Sequence, residues 1–93
     1  MTTREHHTEA LKTFFRERAT AFRQEGINGK KMTQAQMARI LAMDERSYVD
    51  LEHGVSGCSA LTLALFLIYC CGDPVEFLEK LKEVLESDSG RAA

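Results

Sequence analysis

The chain has 93 residues and a formal net charge of −2, with 44% apolar and 28% charged residues. This is the composition of one small globular domain with a single modest core, not of a disordered chain. The longest uncharged apolar run, residues 60–71, falls short of the roughly 20 residues that span a bilayer, and residues 1–10 carry no secretory pattern, so a cytoplasmic protein that avoids membranes is expected.

In chain order, Leu11, Phe14, Phe15, Ala19 and Phe22 recur at helical spacing with charges between them, which predicts an amphipathic helix near Thr8 to Glu25. Gly26-Ile27-Asn28-Gly29 breaks it, glycine and asparagine tolerating left-handed backbone. Lys30-Lys31 leads into a second helix, with Thr33 as N-cap and Gln36 three residues on in a capping box. Met37, Ala38, Ile40 and Leu41 form its apolar side. After a short turn at Ala42-Met43, Asp44 caps a third helix that runs to about His53, with Ser47, Tyr48 and Leu51 inward and Gly54 as its stop.

Ser59 caps a fourth helix over residues 60–71, stopped by Gly72. Asp73-Pro74-Val75-Glu76 gathers three helix-start signals for a fifth, whose apolar side is Phe77, Leu78, Leu81, Val84 and Leu85. Residues 87–93 are expected to fray, and His6 and His7 to sit in a loose end. The expectation is one all-α domain over 1–93 with an ordered core of about 8–86. Its two short central helices, about 33–53, are joined by a tight turn, the arrangement of a helix-turn-helix.

Charge is unevenly spread. Residues 1–31 hold seven basic groups against four acids, residues 32–58 two against four, and residues 59–93 three against six. The cysteines, Cys58, Cys70 and Cys71, are odd in number and expected as buried thiols. Cys70 and Cys71 point about 100° apart on a helix, a poor chelating pair. No phosphate loop, paired zinc histidines or nucleophile–base set is present, so neither an enzyme nor a cofactor, metal or small-molecule substrate is expected.

The segment MTQAQMARILAMDERSYVDLEHG, residues 32–54, aligns without a gap to L-T-Q-x-x-L-A-x-x-L-G-V-S-x-x-x-I-x-x-I-E-x-G. It resembles the lambda-repressor-like family (Cro/CI, or xenobiotic-response-element type) through Thr33, Gln34, Met37, Ala38, Leu41, Met43, Asp44, Tyr48, Leu51, Glu52 and Gly54. The resemblance covers about residues 10–86. It departs at Ala42, where the family has its turn glycine, at the uncharged loop Val55-Ser56-Gly57-Cys58, and at residues 26–31, which look like an insertion of about four residues.

The resemblance implies a five-helix DNA-binding domain whose partner is double-stranded DNA. Thr33 and Gln34 would meet a phosphate at the start of the second helix, and Lys30 and Lys31 would neutralise its neighbours. The base-reading positions fall on Glu45, Arg46 and Asp50, with Val49 and His53 beside them; arginine can donate two hydrogen bonds to guanine. The fourth helix is apolar all round, which points to a second covered face and a homodimer through Leu61, Leu65, Ile68, Tyr69, Phe77 and Leu81. The expected function is a sequence-specific repressor-like regulator of phage, mobile-element or antitoxin type. The alternative is a protein-interaction module on the same fold with weak or no DNA binding.

Overall fold

Five short polar side chains start five helices. The side-chain oxygens of Thr2, Thr33, Asp44, Ser59 and Asp73 each accept the backbone N–H three residues on, at 3.0–3.1 Å. Each cap satisfies a helix-end donor that would otherwise be unpaired, worth about 1 kcal/mol. The computed structural model describes residues 2–92, and side chains through residue 87. Its helices are α1 (Thr3–Glu25), α2 (Gln34–Ile40), α3 (Glu45–Glu52), α4 (Ala60–Tyr69) and α5 (Pro74–Ala92).

Several expected boundaries shift. α1 begins at Thr3, not Thr8, because Thr2 and Glu5 form a reciprocal capping box. His6 and His7 therefore lie within α1 and are half-buried, not in a loose end. α4 closes at Tyr69, with Cys70 as its C-cap. The stretch expected to fray continues α5 to Ala92, and residue 93 lies outside the described residues. Ser47, expected inward, is exposed.

Residues 26–31 are a built turn. Ile27 and Lys30 exchange both backbone hydrogen bonds, at 3.0 and 3.1 Å, around Asn28 and Gly29, whose φ angles are 54° and 79°. Positive φ at both central residues is the type I′ hairpin pattern that Asn-Gly favours. Gly26 holds this hairpin against the end of α1: a Cβ there would fall 1.6 Å from the Lys30 carbonyl oxygen.

The core is one cluster. Phe15 and Ala19 of α1 meet Met37 and Ala38 of α2, Tyr48 and Leu51 of α3, Phe66 of α4, and Phe77 and Leu81 of α5. Phe66 sits at its centre, its ring centroid 5.1 Å from Phe15 and 5.7 Å from Phe77. Edge and tilted ring contacts of this kind add about 0.5–1.5 kcal/mol beyond burial. Phe77 and Leu81, expected at a dimer interface, are core residues that tie α5 to the rest of the domain. α1 packs along α5, where the Arg18 guanidinium lies 5.0 Å from the Phe14 ring and 5.6 Å from that of Phe77 while pairing with Glu76 at 2.8 Å. Glu76 thus spends its carboxylate on α1.

On α4 the inward line is Thr62, Phe66 and Cys70, spaced by four. Leu61, Ile68 and Tyr69 are 62–67% exposed, and Leu65 is half-buried against the core. Among the described residues, no helix is long and apolar enough to cross a membrane.

Candidate nucleic-acid interface

α3 is buried on one side and open on the other. Tyr48 and Leu51 are three residues apart and enter the core, which fixes the opposite face outward. That outer face carries Glu45, Arg46 and His53, all exposed, with Val49 and Asp50 half-buried beside them. The Arg46 side chain is 85% exposed, and its Nε lies 3.8 Å from an Asp50 carboxylate oxygen. An exposed i,i+4 pair of this length is worth little and leaves Arg46 free to exchange partners. Asp44 begins the helix, and its hydrogen bonds from Ser47 hold its carboxyl below the ordinary range.

The turn before α3 is set by a left-handed residue. Ala42 has φ 55°; its N–H bonds to the Arg39 carbonyl at 3.2 Å, and the Met43 N–H bonds to that of Ala38 at 2.9 Å. This is the paired pattern of a Schellman helix end. It turns the chain within Ala42 and Met43, so that Asp44 caps α3 with the helix's apolar side toward α2.

A nearly buried ionic cluster holds α3 in this pose. Glu52, its side chain 6% exposed, accepts from Arg23 Nε at 2.6 Å and from a second guanidinium nitrogen at 2.9 Å. Gln34 donates to the same carboxylate at 3.1 Å. Residues from α1, α2 and α3 therefore meet on one acid. Burial opposes ionisation of Glu52, but the bonds from Arg23 and Gln34 outweigh it and hold the carboxyl below its ordinary value. Arg23 is raised by the same bond. The Tyr48 hydroxyl, buried beside this cluster, makes no hydrogen bond of good geometry.

The expected site residues divide accordingly. Glu45, Arg46, Val49, Asp50 and His53 share the open side of α3. Lys30 and Lys31 are exposed on and just after the hairpin. Thr33 caps α2, and Gln34 commits one amide hydrogen to Glu52. Two cations on α1 escaped sequence reasoning. Arg16 lies beside Gly54, where a Cβ would sit 3.4 Å from a guanidinium nitrogen, and the Lys12 stem lies about 4.0 Å from the same position on Gly57. The uncharged loop after α3 is thus flanked by positive charge from a helix about 40 residues earlier, which no local pattern signals. Comparison with protein-family models, with curated proteins and with solved structures found no match.

Proposed function

We propose that this protein is a sequence-specific DNA-binding regulator of the lambda-repressor-like helix-turn-helix type, with α3 as the base-reading helix. The observation that carries this reading is the left-handed Ala42 turn, at the position where the family places glycine, followed by a helix that buries Tyr48 and Leu51 and leaves Arg46 open. A short helix braced this way lies in a major groove with its outer side chains at the base edges. Arg46 supplies the two-pronged donor for guanine, and Val49 an apolar contact for a thymine methyl. The exposed apolar side chains Leu61, Ile68 and Tyr69 support a homodimer, which suits two-fold symmetric operators.

A second reading, a protein-interaction module, draws on the acids around the same helix: Asp44, Glu45 and Asp50 would lie near phosphates. Selection from a random duplex pool, followed by binding at two salt concentrations, separates the two. The DNA reading expects an enriched motif and affinity that falls steeply with salt. Arg46→Ala should relax sequence preference, and Lys31→Ala should weaken all duplexes about equally. No enriched motif together with a flat salt response favours the interaction module. Equilibrium sedimentation showing only monomer at high micromolar concentration rejects the homodimer.

A further inference from the structure

α1 and α5 pack on each other in opposite directions. Arg18 meets Glu76 and Phe14 meets Phe77, while Thr3 and Arg4 share a hollow with Leu85. Among the described side chains, none of α1 before Phe15 and none of α5 after Leu81 is fully buried. The paired ends of these two helices therefore carry apolar groups that the rest of the fold leaves uncovered.

Between them runs one groove of about 740 Å³. Its α1 wall extends from His6 to Arg18 and its α5 wall from Lys80 to Ser87, a length of roughly 18 Å along α1, or about three helical turns. Ala10, Phe14 and Val84 supply its apolar lining, and all three are half-buried. The Phe14 ring is held in place by its edge contact with Phe77, 5.1 Å between centroids, and by the Arg18 guanidinium 5.0 Å from its own centroid. A ligand therefore meets a surface that is already ordered. Elsewhere along the pair the hollows are smaller, about 390 and 460 Å³, and His7 and Leu85 line both.

The rims of the groove are acidic. Glu9 and Glu17 stand eight residues apart on α1, and Glu83 stands on α5; all three are exposed. Against them are Lys80, 3.5 Å from Glu83, and Arg18, already paired with Glu76 at 2.8 Å. Glu17 takes part in no ion pair among the described residues.

A straight trough of three turns with an apolar lining is the shape that receives one face of an α-helix, and acidic rims set the sign of that helix's flanks. We infer that this groove docks a basic amphipathic helix of a partner protein, whose apolar residues at i, i+4 and i+7 rest on Ala10, Phe14 and Val84 while lysine or arginine on its flanks meets Glu9, Glu17 and Glu83. No residue of α3 lines the groove, so the inference goes beyond the DNA-binding reading and stands apart from it.

The test selects binders from a displayed library of helical peptides of about 14 residues, then titrates the purified winners into the whole chain by fluorescence anisotropy, with amide chemical shifts locating the contact. The expected winners carry apolar residues at helical spacing with lysine or arginine on both flanks, and they shift Thr13, Glu17 and Val84. Glu17→Lys/Glu83→Lys should weaken such a peptide about tenfold at low salt and by less as salt rises. The same double variant should bind a version of the peptide whose flanking cations are replaced by glutamate. Both altered residues are exposed, and thermal melts verify that the variant folds. No winners, acid-flanked winners, or shifts confined to Leu61, Ile68 and Tyr69 overturn the inference. So do groove shifts that grow with protein concentration in the absence of peptide, which assign the surface to a second copy of the chain. No DNA enters the measurement, so its failure leaves the DNA-binding reading standing, and failure to select an operator leaves the groove standing.

Discussion

α2 and α3 end in the same clasp built from different residues. After α2, the N–H groups of Ala42 and Met43 return to the carbonyls of Arg39 and Ala38; after α3, those of Gly54 and Val55 return to Leu51 and Asp50. Both turns need a left-handed residue, with φ 55° at Ala42 and 76° at Gly54. Glycine adopts this conformation freely, whereas alanine gives up about 1 kcal/mol. The surroundings account for the difference. The Ala42 turn is flanked by Met37, Ala38 and Leu41 on one side and Tyr48 on the other, all buried. Burying the larger of these side chains, such as Met37 and Leu41, stabilises by about 1.5–3 kcal/mol each, so packing can hold a strained turn. The Gly54 turn leads to Val55, which is 69% exposed, and has no such anchor on its far side. One turn is imposed by the core, the other by its own residue.

The largest test removes the acid that anchors α3 between the two turns. Glu52 pins the end of α3 to α1 and α2, so Glu52→Ala should strand Arg23 and cost about 3–5 kcal/mol in urea unfolding. The same acid sets a pH dependence. Folding lowers the Glu52 carboxyl below its ordinary value of 4.5. Its contribution is therefore complete above that value and is lost as pH falls through the lowered folded one. The melting temperature should drop below about pH 4.5, and Glu52→Gln should flatten that drop. An equally steep acid limb in the Gln variant would place the effect elsewhere.

Gly54→Ala comes next. It should cost about 1–2 kcal/mol from the left-handed backbone, since its Cβ meets only the flexible end of Arg16. Ala42→Gly should act in the opposite direction, raising stability by about 0.5–1 kcal/mol, because relief of strain exceeds the added freedom of the unfolded chain. A loss of stability there would refute the contrast between the two turns. The double variant should be additive within about 0.5 kcal/mol if each turn is set independently. Smallest of all, Arg46→Ala should change the unfolding free energy by less than about 0.5 kcal/mol, as its pair with Asp50 is exposed, while its effect on DNA preference is read separately.

Much of the helical layout was legible because its signals are local. Thr33, Asp44 and Ser59 were read as caps from residue type alone, and each caps the helix assigned to it. The long start of α1 was legible too, in the Thr2–Glu5 capping box, but the missing apolar repeat before Leu11 hid it. The Asn28-Gly29 pair carries a hairpin signal of its own, although residue type alone marks it only as a helix break. Phe77 and Leu81 share a helix side with Leu78 in sequence; that the first two are core and Leu78 is exposed depends on where α1 and α4 lie against α5.

Periodicity and capping chemistry act over three or four residues, so the amino-acid order alone determined five helices, the starts of the last four and the outward side of α3. Only the tertiary structure decided which charges meet. Arg23 finds Glu52 across 29 positions, Arg16 reaches the loop after α3, and Lys30 and Lys31 share a hollow with Arg39. Such encounters depend on how whole helices cross, and crossing is set by the packing of the common core around Phe66.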